Sequence, residues 1–309
     1  MQAFLQAFLQ VTLSGLVTGS LYGLLALGLV LVYRTTGVLN FAYSALSTFG
    51  AAFLFVLETG RGMNFWLALP LSLIFSAVLG AAMERLFARP VLHAPVFTKA
   101  IATLALALVL STVAQAIWPQ LAFTEHFPTP FEGASFNVGG VFVTAAALLA
   151  LGVTVVVVAA LTLFLGRTRM GMAMRASADN QPVAQLMGAP VGRIFLLTWA
   201  VATVIGALSA IMLAAQQRTV DISYMNPVLI LAFVAAVLGG LDSLPGALVG
   251  GIAVGLAQNW LALLLAGHQI GPLDISAPGI RETIIFAAFV IVLLFRPQGL
   301  FGKAELRSV

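Results

Sequence analysis

In 309 residues, few groups can exchange protons or hold a metal: 10 Asp and Glu, 3 His, 4 Tyr and no Cys. Without thiols there is no disulfide framework, thiolate metal site or cysteine nucleophile. His93, His126 and His268 fall in three separate loops, which argues against a metal centre. No HExxH, CxxC or acidic cluster occurs, and the nearest approach to a Walker A loop, ending at Lys303, has Pro297 where the first glycine is required. No catalytic residue, metal or cofactor is therefore expected in this chain. The remaining chemistry is hydrogen bonding. Tyr22, Asn40, Ser44, Gln115, Asn226 and Asn259 lie within or at the ends of apolar stretches. A polar group in such surroundings needs a partner, either another helix or a polar solute in transit.

The elements that position these groups follow from composition. The chain is 61% apolar and 8% charged, with mean hydropathy +1.09, against roughly 45–50% and about 25% in soluble domains. Too few polar residues remain to cover a globular surface. That excludes the ordinary soluble enzyme, disordered chain and nucleic-acid binder, since 14 Lys and Arg against 10 Asp and Glu is a small basic excess. The fold class expected is all-α, a polytopic membrane protein forming one domain over 1–309. A helix crossing a roughly 30 Å hydrocarbon core takes about 20 apolar residues. Nine stretches qualify approximately: 11–33, 39–57, 65–87, 97–117, 141–165, 194–216, 227–240, 246–266 and 279–295. The second, seventh and ninth are the weakest, and eight spans with a re-entrant piece is the rival arrangement. The opening MQAFLQAFLQ has no positive n-region, which argues against a cleaved signal peptide.

Loop charge sets orientation. With loop 88–96 inside, Arg34, Arg85, Arg89, Lys99, Arg167, Arg169, Arg175, Arg193, Arg296, Lys303 and Arg307 all lie inside, and only Arg61, Arg218 and Arg281 lie outside. The N-terminus is then outside and the C-terminus inside. An odd number of crossings permits segments one to four to match six to nine in inverted topology about the fifth. Arg34 and Arg218 end the first helix of each half, and Asn40 and Asn226 open the next. Gly15, Gly19 and Gly23 form one stripe, and Gly251, Gly255 and Asn259 another, at the spacing that lets helices approach closely in lipid.

Ion-coupled transporters place ionisable groups within the membrane, and the middles of these spans are nearly free of them. Arg281 and Glu282 come nearest and suit an interfacial anchor, with a proton site as the alternative. Energy is therefore expected from another subunit, and loop 166–193, with four arginines, is where one can attach. Ser177 or Asp179 can cap a short helix there, with Pro182 in its first turn. Val183, Leu186 and Met187 give it one apolar face, and Gly188 ends it. Such a helix suits docking into a partner's groove or lying among lipid headgroups.

At this loop the chain resembles the permease subunits of branched-chain amino acid ABC transporters, the LivH type, and the resemblance runs nearly end to end. It is carried by SGLVTGSLYGLLALGLVLVYRTTGVLNFAYSALSTFGAA (14–52), GMAMRASADNQPVAQLMGAP (171–190), FVAAVLGGLDSLPGALVGG (233–251) and VLLFRPQGLFG (292–302). The resemblance implies an importer. A second permease subunit, identical or homologous, would pair with this one. Two cytoplasmic ABC ATPase subunits would bind ATP and Mg, and a periplasmic or extracellular solute-binding protein would deliver cargo. It further implies that 171–190 couples to the ATPases, with Arg175, Asp179 and Gly188 in the matching block, and that Asn40-Phe41-Ala42 stands close to the pathway. Family members often continue with His-Gly-Glu, where this chain has Tyr43-Ser44-Ala45, a different hydrogen-bonding and charge inventory.

These readings converge on a multi-pass permease of the bacterial inner membrane for branched-chain amino acids or a related small polar solute, such as an amide, urea or organic acid. A stand-alone secondary transporter or a channel is the alternative. Lipid surrounds the chain in either case, and no nucleic-acid partner is expected.

Overall fold

The computed structural model describes residues 2–92, 94–130, 132–270, 273–274, 277–296 and 298–302. His93, Pro297, Lys303 and Arg307, which entered the sequence reading, lie outside these. Among the described residues, each of the nine apolar stretches contains a helix. The first half holds α1 (Gln2–Thr36), α2 (Tyr43–Arg61), α3 (Phe65–Met83) and α4 (Val96–Ile117). Then come α5 (Ala145–Arg167) and two short helices, α6 (Arg169–Asp179) and α7 (Gln181–Leu186). The second half holds α8 (Val191–Gln217), α9 (Met225–Gly239), α10 (Leu244–Leu265) and α11 (Pro278–Phe295). The chain is an all-α polytopic membrane protein. By length and composition, six of these helices can cross a bilayer.

Two boundaries differ from the sequence reading. The fifth stretch opens as a strand, Val141–Thr144, paired with Ser135–Val138, before α5 begins. The Thr144 hydroxyl caps α5 by accepting the Ala147 N–H at 3.2 Å. The first helix also starts well before position 11. Its first turns stay on the bundle because Phe8 stacks on Trp260 and Gln10 exchanges two hydrogen bonds with the backbone of Phe142.

The two glycine stripes face each other. A side chain at Gly15 would meet the Cα of Leu256 at 3.0 Å, and one at Gly19 would meet that of Ile252 at 2.7 Å. Gly23 lies against Leu248, so α1 and α10 run antiparallel at close range. In lipid, where apolar side chains gain little from hiding, this backbone approach supplies the van der Waals contact that holds helices together. Asn259 does not reach across the interface; its side-chain N–H donates to Gly255 O, one turn back, at 2.9 Å.

Packing is matched under exchange of the two halves. Helix α1 lies on α10 as α8 lies on α3, and α9 lies on α10 as α2 lies on α3. Helix α1 also meets α9 as α8 meets α2, while α5 touches both α1 and α8. At the margins, α4 borders α2 and α11 borders α9. This is the arrangement expected of two four-helix repeats about a connecting fifth.

Arg34 stands 3.9 Å from Asp179, and Arg89 donates to Gly192 O at 2.8 Å, which places the C-terminal ends of α1 and α3 beside the 166–193 loop. At the opposite end, the strand Thr219–Val220 after Arg218 pairs with Glu125–His126.

Candidate functional site

The starts of α2 and α9 position the site, and α9 is the shortest of the helices in the nine apolar stretches. At about 1.5 Å per residue, the 15 residues of α9 reach roughly 22 Å, less than the hydrocarbon thickness. Each follows a non-helical return, 37–42 after α1 and 218–224 after α8. These returns leave opposite ends of the bundle, yet the helices they feed meet: the Ser44 hydroxyl donates to the Asn226 carboxamide oxygen at 3.0 Å. Phe41 stacks on Phe233 with ring centroids 5.1 Å apart. Helix α2 therefore opens in the interior of the bundle and α9 opens against it with Asn226 at the surface.

Local chemistry fixes the first return. The Asn40 side-chain oxygen accepts the Ala42 N–H at 3.1 Å, an Asx turn that aims the chain into α2. Thr103, on α4, donates to Leu39 O at 3.0 Å and accepts the Phe41 N–H at 3.3 Å. Asn40 and Ser44 are buried, and so is Thr48, one turn further along α2, whose hydroxyl has no hydrogen-bond partner among the described residues. Asn226 is exposed on the bundle surface, beside exposed Pro227 and Ile230.

The remaining polar candidates do not join this cluster. Tyr22 is buried and donates to Gln258 Oε1 at 2.8 Å, tying α1 to α10. Asn259 is satisfied within its own helix. Gln115 is exposed near the C-terminal end of α4. The structure thus brings together Asn40, Phe41, Ser44 and Asn226 and leaves Tyr22, Gln115 and Asn259 apart from them. Sequence reasoning missed Thr103, Thr48 and Gln258, each a common residue whose role rests on helix faces rather than spacing.

Tyr43, where the resembling family often has His, is fully buried and donates to Ala202 O at 2.6 Å. Its ring occupies the space left by Gly28 and Gly206, where an added side chain would collide with it. This position packs helix against helix.

In the 166–193 loop the caps differ from the sequence reading. Ser177 sits inside α6 and Asp179 is its last residue, so neither caps the next helix. Asn180 does, accepting the Val183 N–H at 3.1 Å, with Pro182 in the first turn as expected. Gly188 leaves the helix at φ +84°, a conformation that favours glycine. Val183, Leu186 and Met187 are 52%, 88% and 83% exposed. Arg175 and Asp179 are exposed as well.

Among the described residues no three His, Cys, Asp or Glu gather as a metal site; His126 instead stands 2.7 Å from Glu132. Interrupted helices that open beside polar groups are a feature of membrane transporters, and the class the fold and family define is the multi-pass transport permease. The chain belongs to the family of branched-chain amino acid transport system permease components, which matches residues 11–294. It is 29% identical over 312 residues to the high-affinity branched-chain amino acid transport system permease protein BraD of Pseudomonas aeruginosa, covering 98% of each chain. It is 31% identical over 298 residues to the probable branched-chain amino acid transport permease protein LivH of Methanocaldococcus jannaschii, covering 93% of this chain and 90% of that one. A solved structure, PsaBC from Streptococcus pneumoniae in complex with Fab, aligns with TM-score 0.49 at 16% identity over 94% of this chain and 92% of that one.

Proposed function

We propose that this chain is the membrane-spanning subunit of an ABC importer in the bacterial inner membrane, N-terminus outside and C-terminus inside. Its cargo is a branched-chain amino acid or a related small polar solute: an amide, urea or organic acid. A second permease subunit completes the pathway, a solute-binding protein delivers cargo, and two cytoplasmic ATPases bind ATP and Mg to drive it.

The observation that carries this reading is α7. A soluble environment disfavours Leu186 and Met187 standing almost wholly uncovered, and nothing in the described chain covers them. An amphipathic helix on the arginine-rich, cytoplasmic side fits a groove on an ATPase. Asp179, at the end of α6 just before it, stands 3.9 Å from Arg34 at the end of α1, so displacement of α7 reaches the helix that leads into the 37–42 return. There Asn40, Ser44 and Asn226 offer hydrogen bonds to a passing solute. The exposed amide of Asn226 supports a partner or an aqueous path on that face, since acyl chains offer it no hydrogen bond.

Reconstitution tests the reading. Proteoliposomes holding this chain, its partner permease and both ATPases take up solute only with ATP. Solute flux through the purified chain alone, driven by an ion gradient, would establish the stand-alone transporter instead. Calorimetry of the solute-binding protein against a panel of amino acids, amides and organic acids identifies the cargo.

A further inference from the structure

A cavity of about 600 Å³ opens at the arginine-rich end, apart from the Ser44–Asn226 cluster and beside α7. Arg85, Arg89 and Arg193 line it, with Gln185 and the first turn of α8. Arg89 is held in place: it binds both oxygens of buried Glu84, at 3.0 and 3.2 Å, and donates to Gly192 O at 2.8 Å. Glu84 neutralises one arginine only. Arg85 and Arg193 are exposed and have no ion-pair partner among the described residues, so the cavity keeps a surplus of two positive charges. Arg85 lies in the single widened turn, Glu84–Ala88, that ends α3 and brings it to the cavity beside Arg89.

The floor of this cavity is apolar and continues into the membrane. Leu197 lines both the cavity and a groove of about 420 Å³ between α3, α5 and α8, whose walls include Ala77, Phe164 and Val204. Val157 and Leu208 line that groove and the next one, of about 590 Å³, along α5. From Arg193 to Leu208 the track covers about 22 Å of helix, the depth of one leaflet of a bilayer about 40–45 Å thick with its headgroups.

We propose that this track is a binding site for an anionic phospholipid, with the phosphodiester headgroup on Arg85, Arg193 and Arg89 and an acyl chain along the α3–α5–α8 groove. Guanidinium groups suit phosphate oxygens, and basic pockets between helices on the cytoplasmic side hold anionic headgroups. Free phosphate would use the arginines but not the groove. A protein occupant would use the arginines and α7 but would not reach between membrane helices. The continuity through Leu197 therefore favours lipid.

Native mass spectrometry of the purified full chain, titrated with phosphatidylglycerol and phosphatidylcholine of identical acyl chains, tests this. The wild type should prefer phosphatidylglycerol by about tenfold or more, since each arginine near a headgroup contributes a factor of about five. R85Q/R193Q should lose the preference. R167Q/R169Q, which removes the same charge from the same end outside the cavity, should keep it. A200W, which fills the groove, should weaken binding of both lipids, and millimolar inorganic phosphate should leave binding unchanged. Equal binding of the two lipids by the wild type overturns the proposal without any variant. Equal loss in R167Q/R169Q overturns it as diffuse charge attraction. Displacement by phosphate with A200W unaffected makes the cavity a free-phosphate site. Loss of ATPase capture in R85Q/R193Q with lipid preference intact makes it a protein-docking surface.

Discussion

The Ser44 hydroxyl and the Asn226 carboxamide oxygen meet at 3.0 Å although 182 residues separate them in sequence. That contact joins the first turns of two helices, one from each half of the chain, although the returns that feed them leave opposite ends of the bundle. A double-mutant cycle of Ser44→Ala and Asn226→Ala, read by thermal unfolding in detergent, should give a coupling energy of about 0.6–1.7 kcal/mol, the range for hydrogen bonds between membrane helices. Strict additivity would mean that the pair does not bridge the halves.

Asn40 acts on the same turn from within. Its side chain satisfies the Ala42 N–H, so Asn40→Leu should cost about 1 kcal/mol of stability, as for loss of a comparable cap. Transport should fall further than assembly does, because the turn also aims Ser44. Uptake in proteoliposomes, compared with yield of assembled complex, separates the two. Equal loss of both would assign Asn40 to packing alone.

The glycine positions of α1 in the α1–α10 seam leave no room for a side chain. Gly19→Leu would drive a branched chain into the backbone of Ile252, already 2.7 Å from the position of a Cβ. It should destabilise by about 2 kcal/mol or more, the scale of overpacking. Gly166 on α5 has open space around it, so Gly166→Ala should stay within about 1 kcal/mol of the parent protein or gain on it. Melting temperatures of the two variants in one detergent make the comparison.

Leu186 and Met187 can be changed without touching the core. Leu186→Asp with Met187→Asp should leave unfolding within about 0.5 kcal/mol, as for exposed sites generally. Capture of the ATPase should drop by about tenfold or more, since each side chain would bury apolar surface contributing about 1.5–3 kcal/mol. Co-purification of the ATPase reports the outcome.

The Arg34–Asp179 pair is long, at 3.9 Å, and largely solvated on the Asp179 side. Pairs of this kind contribute about 0–1 kcal/mol. Asp179→Asn combined with Arg175→Gln should therefore insert normally while uncoupling ATP hydrolysis from transport. The ratio of solute moved to ATP hydrolysed, in a well-expressed double variant, measures this. An unchanged ratio would remove the loop from the coupling route.

Much of the architecture was legible in the chain itself. Among the described residues each of the nine apolar runs holds a helix, six of them long and apolar enough to cross a bilayer, because a bilayer imposes one length scale and leaves the backbone few alternatives to helix. The glycine stripes announced a close seam by their i, i+4, i+8 spacing, though not that each was the other's partner. Pro182, Gly188 and the Val183–Leu186–Met187 face marked α7 correctly. Its cap was misassigned to Ser177 or Asp179 because several neighbouring residues can each accept the same N–H, and only backbone geometry selects Asn180.

Composition, the length of the apolar runs and local turn chemistry thus determined what kind of molecule this is and which segments are helices, since those depend on solvent and on neighbours a few residues away. Only the tertiary structure decided which polar groups share a site. Ser44 finds Asn226, Thr103 finds Leu39 and Tyr22 finds Gln258. Each pairing depends on which faces of distant segments are turned together, and most of these helices are apolar on nearly all sides, so periodicity carries little record of a neighbour.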